Sequence, residues 1–220
     1  MKKAIVSFAT KEYYTKFLDR QINSIKEFAP EATHIYWKDA YPPESRSHAE
    51  SAYGFKVYAI KEALKRGFEQ IIWIDSAFYA CSKLDFIWNT LSERGIYVLK
   101  DALLLAEHTM PKVINYFGES YESLLSKQWT TTGGSPYGFD FTNPLAVKMF
   151  QEFEKAEKNN TFGTAEEVTQ SSGAGGFCKG HRMDESVMSF IHGKNNLPLL
   201  NVQQNNLYAW DNYFQTQRNG

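Results

Sequence analysis

The chain has 220 residues, enough for one large domain with a substantial buried core. Its 24 basic and 25 acidic residues leave a formal net charge of −1, so it carries no electrostatic footprint for duplex nucleic acid or an anionic membrane surface. With 43% hydrophobic residues it reads as globular, and no apolar run approaches the length that spans a bilayer, so no transmembrane segment is expected.

A first strand is predicted at Lys3–Ala9, almost at the start of the chain. The apolar run of this opening is too short for a signal peptide, and a cytoplasmic protein is expected. Thr10–Thr15 leads into a helix from about Lys16 to Phe28, with Phe17, Ile22, Ile25 and Phe28 near one face and Pro30 ending it. Thr33–Trp37 alternates as a second strand, and this β-α-β opening predicts a parallel sheet. Lys38–Ala52 is a polar loop holding Arg46 and His48, whose side chains are within reach of a ligand or simply solvated. A helix follows over about Tyr53–Arg66, with Gly67 as its C-cap. Lys56, near the start of that helix, is either a solvated lysine or, with the helix N-terminus, a holder of an anion such as a diphosphate.

Gln70–Ile74 is a fully buried strand that ends in Asp75-Ser76-Ala77. A helix at about Leu84–Arg94, closed by Gly95, is followed by a strand at Ile96–Leu99 and a mostly helical, irregular stretch over Ala102–Leu125. The small-residue run Gln128–Pro136 leads into a strand at Tyr137–Phe141, and Asn143-Pro144 caps and starts a strong amphipathic helix. The run 159–180 is rich in Gly, Ser, Thr and Asn and reads as a flexible lid loop. His181–Ser186 opens a last helix reaching His192–Lys194, Pro198–Val202 is a short strand, and 203–220 is a polar tail. There are no internal repeats or clear linkers, so residues 1–220 form a single domain. Cys81 and Cys178 have neither CxxC spacing nor a Cys/His cluster, so reduced thiols are expected in preference to a disulfide or a zinc site.

The first strand is followed by no Gly-x-Gly-x-x-Gly turn, and the chain has no Walker loop and no Gly-x-Ser-x-Gly elbow. Dinucleotide binding, P-loop hydrolysis and α/β-hydrolase chemistry are therefore disfavoured. What remains is an α/β sheet with a carboxylate, Asp75, where the chain leaves a strand, the point at which open sheets bind ligands. Asp75 is either a cap of the following turn or a ligand group, and no basic residue adjoins it in sequence. The second polar cluster is Arg182, Asp184 and Glu185. Either carboxylate is placed to activate an acceptor hydroxyl or to favour the helix dipole, and Arg182 either binds phosphate or pairs with Asp184.

Taken as an ordered set, several local words resemble the GT-A glycosyltransferase family: Ala4–Thr10, Tyr53–Lys56 with Tyr58–Ala63, Trp73–Ser76, Tyr137–Phe141 and Gly180–Ser186. Within that family the chain is similar to the N-terminal glycosyltransferase domain of a larger chlorella-virus protein, which implies the host cytoplasm as its location. The resemblance implies a single-domain α/β fold of the GT-A (Rossmann-like) type, with a mixed, mainly parallel sheet flanked by helices. It also implies a nucleotide-sugar donor, a UDP-sugar, a carbohydrate or glycan acceptor, and a divalent metal, Mn²⁺ or Mg²⁺, bridging the diphosphate. Phe8, Ala9 and Thr10 would then contact the nucleoside with Tyr14 close by. Asp75 would bind the metal, the Ser76 backbone or hydroxyl would face the ribose or phosphates, and Lys56, Ala77 and Arg182 would join the donor site. Asp184 and Glu185 would be the catalytic carboxylates of an inverting hexosyl- or deoxyhexosyltransferase, with Asp184 as the base. His192 is an extra metal-ligand candidate, or a structural histidine. One departure matters: many GT-A enzymes carry Asp-x-Asp where this chain has Asp75-Ser76-Ala77. The alternative is thus a nucleotide-sugar-binding module whose metal motif has decayed and which transfers nothing.

Overall fold

The computed structural model describes residues 1–197, 199–200 and 213–216. Five strands form the main sheet: β1 (Lys3–Ala9), β2 (Thr33–Lys38), β3 (Gln70–Trp73), β5 (Ile96–Leu104) and β6 (Thr130–Asp140), in the order β2-β1-β3-β6-β5. β1 pairs parallel with both β2 and β3, whereas β6 runs antiparallel to β3 and β5. The sheet is therefore mixed, with β6 alone reversed among its strands. A small antiparallel pair, β4 (Phe78–Ala80) with β7 (Phe214–Thr216), lies beyond Asp75.

The period-2 alternation of β1 builds two cores. Ala4, Val6 and Phe8 face the larger one, which α2 (Phe55–Lys65), α6 (Pro144–Lys158) and α8 (Met183–Lys194) cover. Ile5 faces the smaller one, with Ile72 and Tyr97, beneath α1 (Glu12–Phe28) and α3 (Asp85–Arg94). The expected helix ends hold: Gly95 closes α3 in the left-handed region at φ +79°, and Asn143 accepts the Leu145 N–H at the start of α6.

Elsewhere the structure differs from the sequence reading, for physical reasons. α1 starts at Glu12, a turn earlier than predicted, and its buried face is Thr15, Leu18, Gln21, Ser24 and Ile25, leaving Ile22 and Phe28 half-buried. Gln21 and Ser24 are tolerated there because they bond the backbone of the Asp75–Ala80 turn. β5 continues through Lys100-Asp101 to Leu104, where helix was predicted. The helical part of that region is a 3₁₀ turn at Leu105–His108, then α4 (Pro111–Tyr116) and α5 (Tyr121–Lys127). β6 takes in the small-residue stretch from Thr130, with Thr131 and Thr132 buried, because pairing with β5 supplies what side-chain hydrophobicity does not.

The 159–180 segment carries α7 (Ala165–Thr169) behind a Thr164–Glu167 capping box, and its Phe162 is fully buried. Of the expected strand at Pro198–Val202, Leu200 makes a parallel bridge to Leu99, while 198, 201 and 202 lie outside the described residues. So does most of the 203–220 tail. Among the described residues, Cys81 and Cys178 are not joined in a disulfide, and no helix is long and apolar enough to cross a membrane.

Candidate functional site

From β1 the chain passes to β2 on one side and then, through α2, to β3 on the other. The carboxyl ends of β1 and β3 thus mark a topological switch point, where open α/β sheets take their ligands. A cavity of about 410 Å³ opens there, a size that suits a small-molecule ligand. Phe8, Ala9 and Thr10 line it from the end of β1, Lys11 and Tyr14 from the start of α1, and Asp75, Ser76 and Ala77 from the turn after β3. The opposite wall is the loop before α2, with Tyr41, His48 and Tyr53, closed by Ala165 of α7.

That loop is held from behind. Arg46 Nε donates to Glu157 Oε1 (3.0 Å) and its Nη2 donates to the Glu157 carbonyl (2.6 Å), while Tyr58 Oη donates to Glu157 Oε2 (3.0 Å). Glu157 is fully buried at the end of α6, so Arg46 serves as its counter-charge rather than as a solvated loop cation. His48 Nδ1 accepts the Tyr53 N–H (3.3 Å), and burial, reinforced by Lys11 and Lys56, lowers its pKa and keeps the ring neutral.

Asp75 does not cap the turn that follows it; the Phe78 N–H bonds the Asp75 backbone carbonyl (3.0 Å) instead. Its carboxylate turns back, where Oδ1 accepts the Trp73 Nε1–H (2.7 Å) and stands 3.4 Å from Lys56 Nζ. The backbone on either side is clamped: the Asp75 N–H donates to Ser135 Oγ (2.9 Å), and Gln21 Nε2 donates to the carbonyls of Asp75 and Phe78 (both 2.8 Å). Trp73, Gln21 and Ser135 were not legible as site residues; the one available signal was polar side chains on an otherwise apolar helix face.

Neither sequence reading of Lys56, a solvated lysine or a holder of an anion at the helix start, describes its position. It is 1% exposed and lies behind Asp75 rather than in the cavity wall. Its Nζ donates to Asp184 Oδ2 (2.8 Å) and the Gly134 carbonyl (2.9 Å), and the rings of Tyr53, Trp73 and Tyr137 surround it at 4.9–5.6 Å. Burial alone would pull this ammonium's pKa down, but Asp184 and Asp75 outweigh it and hold the pKa above its ordinary value. Asp184 is raised, by burial against the pull of Lys56.

With Asp184 turned inward, Arg182 pairs not with it but with Glu185, through Nε to Oε2 (2.7 Å) and Nη2 to Oε1 (3.1 Å). Burial, and after it the Asp184 charge, pushes Glu185 up to about 7. Gly134 makes room for this carboxyl, since a Cβ there would stand 2.6 Å from Glu185 Oε1. Arg182, Asp184 and Glu185, like Lys56, lie outside the lining of the cavity, behind Asp75.

His192 is not among the residues that line the cavity with Asp75. It lies eight residues beyond Asp184 on α8, about 12 Å along the helix. It is buried, neither ring nitrogen has a hydrogen-bond partner, and burial followed by Arg94 lowers its pKa to about 4. Among the described residues, no group of three or more His, Cys, Asp or Glu comes together that could hold a metal ion. Asp75 offers one carboxylate, with Oδ1 already engaged. Hard divalent cations are held by one or two carboxylates together with substrate phosphates and waters, so this donor set fits such a cation only in the company of a phosphate ligand.

No family model matches the chain, and no curated protein does. Solved structures do. The bifunctional glycosyltransferase WbbM in its apo form matches at TM-score 0.50 and 10% identity, over 90% of this chain and 38% of that one. A glycosyltransferase involved in glycosylation of the major capsid of PBCV-1 matches at 0.49 and 12%, over 100% of this chain and 94% of that one. Apo mouse xyloside xylosyltransferase 1 matches at 0.49 and 11%, over 92% and 86%. At such identities the likeness speaks to the fold alone. That fold is the expected mixed α/β one, a five-stranded, mainly parallel sheet flanked by helices.

Proposed function

We propose that the chain is a glycosyltransferase that binds a nucleoside-diphosphate sugar, a UDP-sugar, and passes a hexosyl or deoxyhexosyl group to a hydroxyl of a carbohydrate or glycan acceptor. The observation that carries this reading is the cavity at the switch point, with aromatic walls on one side and the Asp75 carboxylate braced on the other. Phe8, Tyr14, Tyr41 and Tyr53 line the cavity and would offer faces for a base, and Ser76 and Ala77, which line it too, would meet the ribose or phosphates.

Breaking the glycosidic bond leaves a diphosphate on which negative charge grows, and that charge is what the site must stabilise. A bound divalent cation, Mn²⁺ or Mg²⁺, supplies Lewis-acid stabilisation there. Asp75 is the residue that would hold it. Of the two carboxyls expected to activate the acceptor, we assign Glu185 rather than Asp184 to take the hydroxyl proton. Its side chain keeps 15% exposure against 3% for Asp184, whose carboxylate is committed to Lys56, and burial pushes Glu185 up to about 7. Asp184, 2% exposed and bound to Lys56, positions the cluster from behind. A carboxylate base of this kind serves direct displacement, hence inversion.

Calorimetric titration of UDP and a panel of UDP-sugars, with and without Mn²⁺, tests the reading against wild type and Asp75→Asn. Metal-enhanced binding of one donor that the variant loses supports it. If no nucleotide binds under any condition, the proposal fails; donor binding with no transfer to any acceptor would leave a binding module.

A further inference from the structure

Lys56 does more than neutralise a neighbour. Three oxygens from three distant parts of the chain converge on its ammonium: it donates to Asp184 Oδ2 at 2.8 Å and to the Gly134 carbonyl at 2.9 Å, and Asp75 Oδ1 stands 3.4 Å away as an ion-pair partner. Two carboxylates and a carbonyl make the hard oxygen set that cations favour. Here the set is filled by a covalently tethered one, sealed from water.

Two consequences follow from charge and geometry. Among the described residues, Asp75 is the single carboxylate at the cavity wall, and Lys56 already stands 3.4 Å from its Oδ1. A divalent cation approaching Asp75 from the cavity also meets a fixed positive charge immediately behind it. Glu185 beside the cluster is paired with Arg182, so it brings no free carboxylate to these oxygens.

We infer that Lys56 is the resident cation of a three-oxygen site formed by Asp184, Asp75 and Gly134, that it bars free divalent metal from Asp75, and that truncating it converts the same oxygens into a divalent-cation site. The inference concerns the chain without nucleotide and stands independently of which group, if any, is transferred.

The test is titration of Mn²⁺ alone, with no nucleotide present, followed by loss of the free-ion EPR signal. Wild type is expected to leave the signal intact up to millimolar Mn²⁺. Lys56→Ala is expected to take the ion up stoichiometrically and at least about tenfold more tightly than wild type. Adding Asp184→Asn to that variant should abolish the uptake. Circular dichroism establishes that each variant is folded, and Lys56→Gln, which keeps most of the side-chain stem, replaces Lys56→Ala if the latter does not fold. Stoichiometric Mn²⁺ uptake by wild type that Asp75→Asn removes would overturn the inference. So would a folded Lys56 variant that takes up no more Mn²⁺ than wild type.

Discussion

Replacing Lys56 by Met keeps the length and most of the volume of the side chain and removes only its charge and donors. The Asp184 carboxylate, 3% exposed at its side chain, then loses its 2.8 Å partner with no route to water. At an effective dielectric of about 20, two unit charges at that distance attract with roughly 6 kcal/mol before desolvation is counted. Removing one member of a buried pair typically destabilises by about 3–5 kcal/mol, because the survivor is left uncompensated. Lys56→Met is therefore expected to lose about 3–5 kcal/mol, a large part of the ~5–15 kcal/mol that holds a domain together. The double variant Lys56→Met/Asp184→Leu removes both charges and should recover to within about 2 kcal/mol of wild type. Asp75 keeps the Trp73 donor and its opening to the cavity. Urea unfolding followed by circular dichroism at pH 8 measures all three chains. The deficit of the single variant should shrink at pH 5, where the stranded Asp184 can take up a proton. A Lys56→Met chain within about 1 kcal/mol of wild type at pH 8, or a double variant no better than the single, would refute the buried pair as described.

Glu185 titrates near 7 against an ordinary value of 4.5, so the folded chain binds the extra proton between those values. Its contribution to stability falls as pH rises from about 4.5 through about 7, while transfer that uses its ionised form rises through about 7; Glu185→Gln should flatten both profiles. Gly134→Ala places a methyl group 2.6 Å from Glu185 Oε1 and should cut turnover at least about tenfold, with donor affinity by calorimetry largely kept. Gln21→Leu strips the shared donor from the Asp75 and Phe78 carbonyls and should lower stability by about 1–3 kcal/mol in thermal or urea unfolding, with weaker donor binding as the loosened turn misplaces Asp75. Arg46→Ala strands the fully buried Glu157 with Tyr58 as its remaining side-chain donor and should lower stability by about 3 kcal/mol, read by the same unfolding assay.

Much of the frame was legible because it rests on local rules. Four large apolar residues ending in Asp75 specify a buried strand and its rim, and Asn143-Pro144 and Gly95 punctuate helices whatever surrounds them. The strand at Lys3–Ala9 was likewise legible, and its end opens on the cavity. Local rules failed where pairing partners decide. Thr130–Pro136 reads as a polar, small-residue run and Ala102–Leu104 as helix, yet each becomes strand because β5 and β6 lie opposite one another. Lys56, Asp75 and Asp184 are the sharpest case. Nothing in a lysine near a helix start announces burial, and its acceptors come from positions 19, 78 and 128 residues further along the chain. An ion pair between such distant positions has no periodicity to read, because it exists only once the sheet has brought α2, β3, β6 and α8 to one point.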